Sequence, residues 1–108
     1  MPAPTPAPPA AAGWLRVARP PALSGASFQL VDHEVTVGRA PGCAVLLDDP
    51  TVSSRHARVF PQRDGHLIDD LGSRNGTMVN GRRIQGPTPL SAGDRISIGP
   101  NVELEVLP

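Results

Sequence analysis

A chain of 108 residues is enough for one hydrophobic core and leaves no length for a second domain. Ten basic residues balance ten acidic ones, so no overall field draws the chain onto a nucleic-acid backbone or an acidic membrane. The single cysteine, Cys43, excludes an internal disulfide and has no CxxC partner for a structural zinc site, which fits a reducing, cytoplasmic setting.

The opening residues, MPAPTPAPPAAA, are proline and alanine around one threonine, with no charge and nothing large to bury. Such a segment cannot offset its ordering entropy, so residues 1–12 are expected to form a disordered or polyproline-like tail, with the domain over 13–108. The opening also lacks the basic region and apolar segment of a secretory signal. No apolar run approaches the roughly 18–20 residues that span a bilayer. The Pro/Ala-rich, single-module form suggests a bacterial cytoplasmic protein or a piece of a larger one.

From Gly13 onward the apolar residues recur with period two, the spacing of strands. Leu15 and Val17 predict a strand over 14–18, followed by 27–31, and Val35 and Val37 mark 34–38. Cys43, expected in the core, opens 43–47, Ala57 and Val59 mark 55–60, and short strands follow at 66–70, 77–79 and 82–84. Ile96 and Ile98 then mark 94–98, and Val102, Leu104 and Val106 mark 102–107. Turn signals separate them: LSGAS, APGC, LDDP, QRDG, RNG, VNG, QGP, SAGD and IGPN. Many short strands with tight turns imply an all-β fold, an antiparallel β-sandwich of about ten or eleven strands. With no Tyr, one Trp and two Phe, its core must rest on Val, Leu and Ile.

A sandwich gathers its loops at its ends, so four loops are expected to act together: VGRAPG, TVSSRHA, DLGSRNGT and VNGRR. Ser53, His56 and Asp69 or Asp70 invite a catalytic triad, but there is no GxSxG elbow and His56 opens a strand. His33, His56, His66 and Cys43 lack the paired spacing of zinc ligands, so no metal or other cofactor is expected. VGRAPGC lacks the GxxxxGK[ST] spacing of a P-loop.

Anion binding fits the residue types better. A phosphate monoester, with about −1.5 to −2 charge and three acceptor oxygens, suits a forked guanidinium with hydroxyl and backbone N–H donors. Arg39, Ser53, Ser54 and Arg74 supply the side-chain groups. The Asn75 carboxamide can donate to one peptide carbonyl and accept from one peptide N–H. Asn75-Gly76 and Asn80-Gly81 both suit type I′ turns; Asn80 is read as structural and Asn75 as binding. Arg55, Arg82 and Arg83 read as surface charges that raise the local positive potential, and Asp48, Asp49 and Asp94 as turn formers.

In order and spacing these residues resemble a forkhead-associated (FHA) domain. The matching positions are Gly38-Arg39, Ser53-Ser54-Arg55-His56, Asp70 through Thr77, Val79-Asn80-Gly81, and Gly93-Asp94 with Ile96, Ile98 and Gly99. The resemblance spans roughly 14–107 and implies a non-catalytic β-sandwich module for phosphothreonine peptides. It places Arg39 and Ser53 on the phosphate, Ser54 and Arg74 on added phosphate or backbone contacts, and Asn75 on the peptide backbone. His56 becomes a brace between loops, with Gly38, Gly76 and Asn80 as structural support. The implied partner is a phosphothreonine-containing protein modified by a Ser/Thr kinase, with no nucleic acid or membrane. The alternative is a scaffold of the same fold that binds a partner through a sandwich face, independently of phosphate.

Overall fold

The computed structural model describes residues 11–63 and 65–108. Their alternating sequence becomes two stacked sheets because each strand has one apolar face to hide. The strands, in chain order, are β1 (Trp14–Arg19), β2 (Ser27–Gln29), β3 (Val35–Gly38), β4 (Val45–Leu46), β5 (Ala57–Gln62) and β6 (Gly65–Asp70). They continue with β7 (Thr77–Val79), β8 (Arg82–Arg83), β9 (Thr88–Leu90), β10 (Arg95–Ile98) and β11 (Val102–Leu107). One sheet has the order β2-β1-β11-β10-β7-β8 and the other β4-β3-β5-β6-β9. No helix among the described residues is long and apolar enough to cross a membrane.

The core lies between the sheets. Leu15, Val17, Ile96, Ile98, Leu104 and Val106 face Val37, Val45, Val59, Ile68 and Leu90, all buried. At about 1.5–3 kcal/mol for each fully buried aliphatic side chain, this set supplies the main stabilisation that the missing aromatics would otherwise give.

The expected strands are present, with three differences. Thr88–Leu90, assigned to no strand between the QGP and SAGD turn signals, is a strand pairing with β6 through Ile68↔Thr88 and His66↔Leu90. Pro89 is tolerated because β9 is a sheet edge, where a missing N–H leaves no partner unbonded. The β3–β4 pair is parallel, matching Val37 with Val45 and Gly38 with Leu46, against the antiparallel expectation. Period two buries Val45 and Leu47 equally well in either direction, so it carries no information about strand sense. Ala11 bridges to Ser91 and Ala12 is buried in the core cluster, so these two residues pack with the domain although their composition groups them with the tail. The remainder of that expected tail, residues 1–10, lies outside the described residues.

Candidate phosphate-binding cleft

The cleft begins where β3 ends. A Cβ on Gly38 would lie 2.3 Å from the Ser54 carbonyl oxygen, so only glycine lets the β4–β5 loop press onto this strand end. Two backbone bonds hold it there: Arg39 N–H to Ser53 O at 3.1 Å and Ala40 N–H to Ser54 O at 3.1 Å. The Cys43 thiol, buried as expected, donates to the same Ser54 carbonyl. Arg39 is thereby fixed at the rim, and its Nε–H donates to Val52 O at 3.1 Å, leaving the terminal guanidinium nitrogens toward solvent.

Arg39, Ser53, Ser54 and Arg74 come together as predicted. With Pro50, Thr51 and Val52 they line an open cleft of about 220 Å³. Ser53 Oγ accepts the Arg74 backbone N–H at 3.0 Å, and its hydroxyl hydrogen is given to no acceptor among the described residues. Asn75 sits beside this cleft with one amide hydrogen already engaged: Nδ2–H donates to Thr51 O at 2.8 Å. The second Nδ2 hydrogen and Oδ1 are not committed by that bond, so the carboxamide keeps one donor and one acceptor for a peptide.

His56 is fully buried. Ser53 N–H donates to its Nδ1 at 3.1 Å and its Nε2–H donates to Gly76 O at 2.8 Å, so both ring nitrogens are tied to the loops they hold. The backbone partners fix the tautomer, as a loop brace requires. They also dispose of the triad chemically. Asp69 binds Arg58 and Asp70 holds its own loop, so no carboxylate orients the imidazole toward Ser53.

The Asp70 network carries weight that the sequence reading did not assign. Asp70 Oδ2 accepts the N–H groups of Gly72 and Ser73, and Oδ1 accepts the hydroxyls of Ser73 and Thr77 at 2.6 and 2.8 Å. Ser73 Oγ in turn accepts Gly76 N–H. Burial opposes ionisation of Asp70, but the Ser73 and Thr77 hydroxyls and the Ser73 N–H together hold its carboxyl below the ordinary value of 3.8. The signal in the sequence is an Asp followed two and three residues later by Gly and Ser, the spacing of a side-chain-closed turn. Asp49 plays the same part in the β4–β5 loop: the Thr51 hydroxyl, against burial, and the Thr51 N–H lower its pKa.

The two Asn-Gly turns differ. Asn80 and Gly81 both have positive φ, at 52° and 81°, as a type I′ turn needs; in the other pair only Gly76 does, at 82°. Asn80 also lies at the opposite end of β7 from Gly76. Its side chain donates to Asp94 and accepts Arg95 N–H, so it fastens the far hairpin and does not support the cleft, as VNGRR had suggested.

Residues 35–99 match the FHA domain family. The oxoglutarate dehydrogenase inhibitor of Corynebacterium diphtheriae is 47% identical over 93 residues, which are 85% of this chain and 63% of that relative. The chain therefore spans less than two thirds of the relative's length. A solved structure from an analysis of phosphothreonine-dependent FHA domain interactions has a TM-score of 0.80 at 29% identity, covering 90% of this chain and 96% of its own. The FhaA FHA domain complexed with the intracellular domain of Rv3910 has a TM-score of 0.77 at 31% identity, covering 86% and 97%.

Proposed function

The chain belongs to the FHA domain family, and from that premise we propose that its cleft binds phosphothreonine-containing segments of other proteins without catalysis. The observation that carries this reading is the convergence of Arg39, Ser53 and Arg74 on one open cleft. Arg39 supplies the forked charge, Ser53 a free hydroxyl donor, and Ser54 and Arg74 further contacts to phosphate or the neighbouring backbone. Asn75 Oδ1 accepts one N–H of the bound peptide. His56, Gly38 and Gly76 hold these groups in place.

A protein partner suits the relatives, since the FhaA FHA domain is seen with the intracellular domain of another protein and the corynebacterial relative is named as an inhibitor. The ligand is made by a Ser/Thr kinase, in a cytoplasm whose reducing state suits the lone buried thiol. Nucleic acid and membrane are not partners. Phosphate-independent binding through a sandwich face is disfavoured because it gives the converged arginines and hydroxyl no role.

Titration calorimetry with a library-selected peptide in phosphothreonine, phosphoserine and unmodified forms tests the proposal. The phosphothreonine form should bind tightest and the unmodified form not measurably. Equal affinity for all three would remove the phosphate reading.

A further inference from the structure

The chain's ten cations are all arginine, and eight of them fall into two groups. Arg16, Arg19, Arg58 and Arg95 pair with carboxylates on the outer sheet faces, at 2.5–3.4 Å for the shortest contact of each. Arg39, Arg55, Arg74 and Arg83 are exposed and form no ion pair among the described residues. Asp49 and Asp70, the carboxylates of the neighbouring loops, are turned to backbone N–H groups of their own loops and pair with none of these arginines.

Arg83 stands out within this group because the reading of the cleft gives it no part, yet its position is held. Antiparallel partners share a face, so the Met78↔Arg83 pair puts Arg83 on the outer face of its sheet, with Gly76 two residues before Met78 on that face. There the guanidinium lies against the Gly76 backbone: a Cβ on Gly76 would sit 3.0 Å from Arg83 Nε and 3.1 Å from Cζ. Gly76 follows Asn75 directly, so the charge lies next to the residue that the proposed function puts on the peptide backbone.

We propose that Arg83 is a specificity-determining residue that receives an acidic side chain of the bound segment, near the phosphothreonine but separate from it. This rests on the phosphothreonine reading and adds a second anchor to it. Gly76 lies two positions after Arg74, at the cleft, a span of at most about 7 Å. An extended ligand advances about 3.3 Å per residue, and the side chains of Arg83 and of a ligand glutamate add reach. The acid should therefore fall about two to four residues from the phosphothreonine, on one flank only. Arg55 lines a separate pocket with Thr36, Ala40, Gly42 and Cys43.

The test is a glutamate walked through the flanking positions of an alanine-flanked, library-selected phosphothreonine peptide, titrated into the parent and Arg83→Gln. Glutamate at one position should tighten binding to the parent about two- to fivefold, the range of an exposed ion pair. The gain should shrink in high salt. It should vanish in Arg83→Gln, which should melt like the parent and bind the all-alanine phosphopeptide equally well. A gain that survives Arg83→Gln, or no gain at any position, overturns the proposal while leaving phosphate binding standing. If no phosphopeptide binds the parent, the underlying reading fails, and this proposal with it.

Discussion

His56→Ala separates a brace from a ligand contact, and the structure allows its effect to be worked out group by group. The Ser53 N–H loses its acceptor, at about 1–3 kcal/mol for an unpaired, partly buried donor. Gly76 O loses one of two donors, since Gly99 N–H also reaches it at 3.1 Å, so this loss is about 1 kcal/mol. The emptied imidazole volume, in a fully buried site, adds roughly 1–2 kcal/mol. The total is about 3–6 kcal/mol, and at roughly 4–8 °C per kcal/mol for a domain of this size the melting temperature should fall by at least about 12 °C. Arg39→Ala, by contrast, removes an exposed side chain with one bond to Val52 O and should change stability by less than about 1 kcal/mol. Circular-dichroism melts of both variants beside the parent decide the matter. An His56→Ala protein that melts within a degree or two of the parent would refute the bracing argument.

Arg39→Ala should weaken phosphopeptide binding about tenfold to a hundredfold through loss of a charge-assisted contact, measured by titration calorimetry; parental affinity would remove Arg39 from the phosphate site. Asp70→Asn addresses pH. A carboxyl whose folded pKa lies below its unfolded value adds stability that is present above the unfolded value and lost as pH falls through the folded one. The variant should be about 1–2 kcal/mol less stable at neutral pH, with a shallower loss between about pH 5 and the folded pKa, and denaturant curves across that range that parallel the parent's would contradict this. Gly38→Ala drives a methyl to 2.3 Å from backbone, so a cost of about 2–3 kcal/mol or more and displacement of the Ser53–Ser54 loop are expected. Unchanged stability and binding would show that the close approach does not matter.

What the sequence made legible was periodic or type-specific. Val102, Leu104 and Val106 alternate so regularly that β11 could hardly be anything else, and arginine, serine and asparagine in adjacent loops point to an anion before any coordinate is known. What stayed hidden depends on which groups meet. Nothing in PTPL says that Pro89 sits within an edge strand, and nothing in period two says that β4 runs parallel to β3. Asn75 was legible as a carboxamide beside the cleft, but not as one that already gives an amide hydrogen to Thr51 O. Asn80 looked like part of the cleft because hairpin spacing does not say at which end of a strand the turn falls; its bonds to Asp94 and Arg95 place it at the far end.

The crossing segment between β6 and β7 has a mechanical consequence. It leaves one sheet and enters the other, and on the way it is stitched to the β4–β5 loop through Arg74 N–H to Ser53 Oγ, Asn75 Nδ2–H to Thr51 O and His56 Nε2–H to Gly76 O. The core between the two layers is aliphatic, and such contacts are not directional and resist sliding weakly. A dianion gripped by Arg39 and Ser53 on one side of this seam and by Arg74 on the other would act as a clasp between layers. Occupancy would then be felt as resistance to shear through the whole sandwich, with slower hydrogen exchange in β7 and β10, strands that the ligand does not touch.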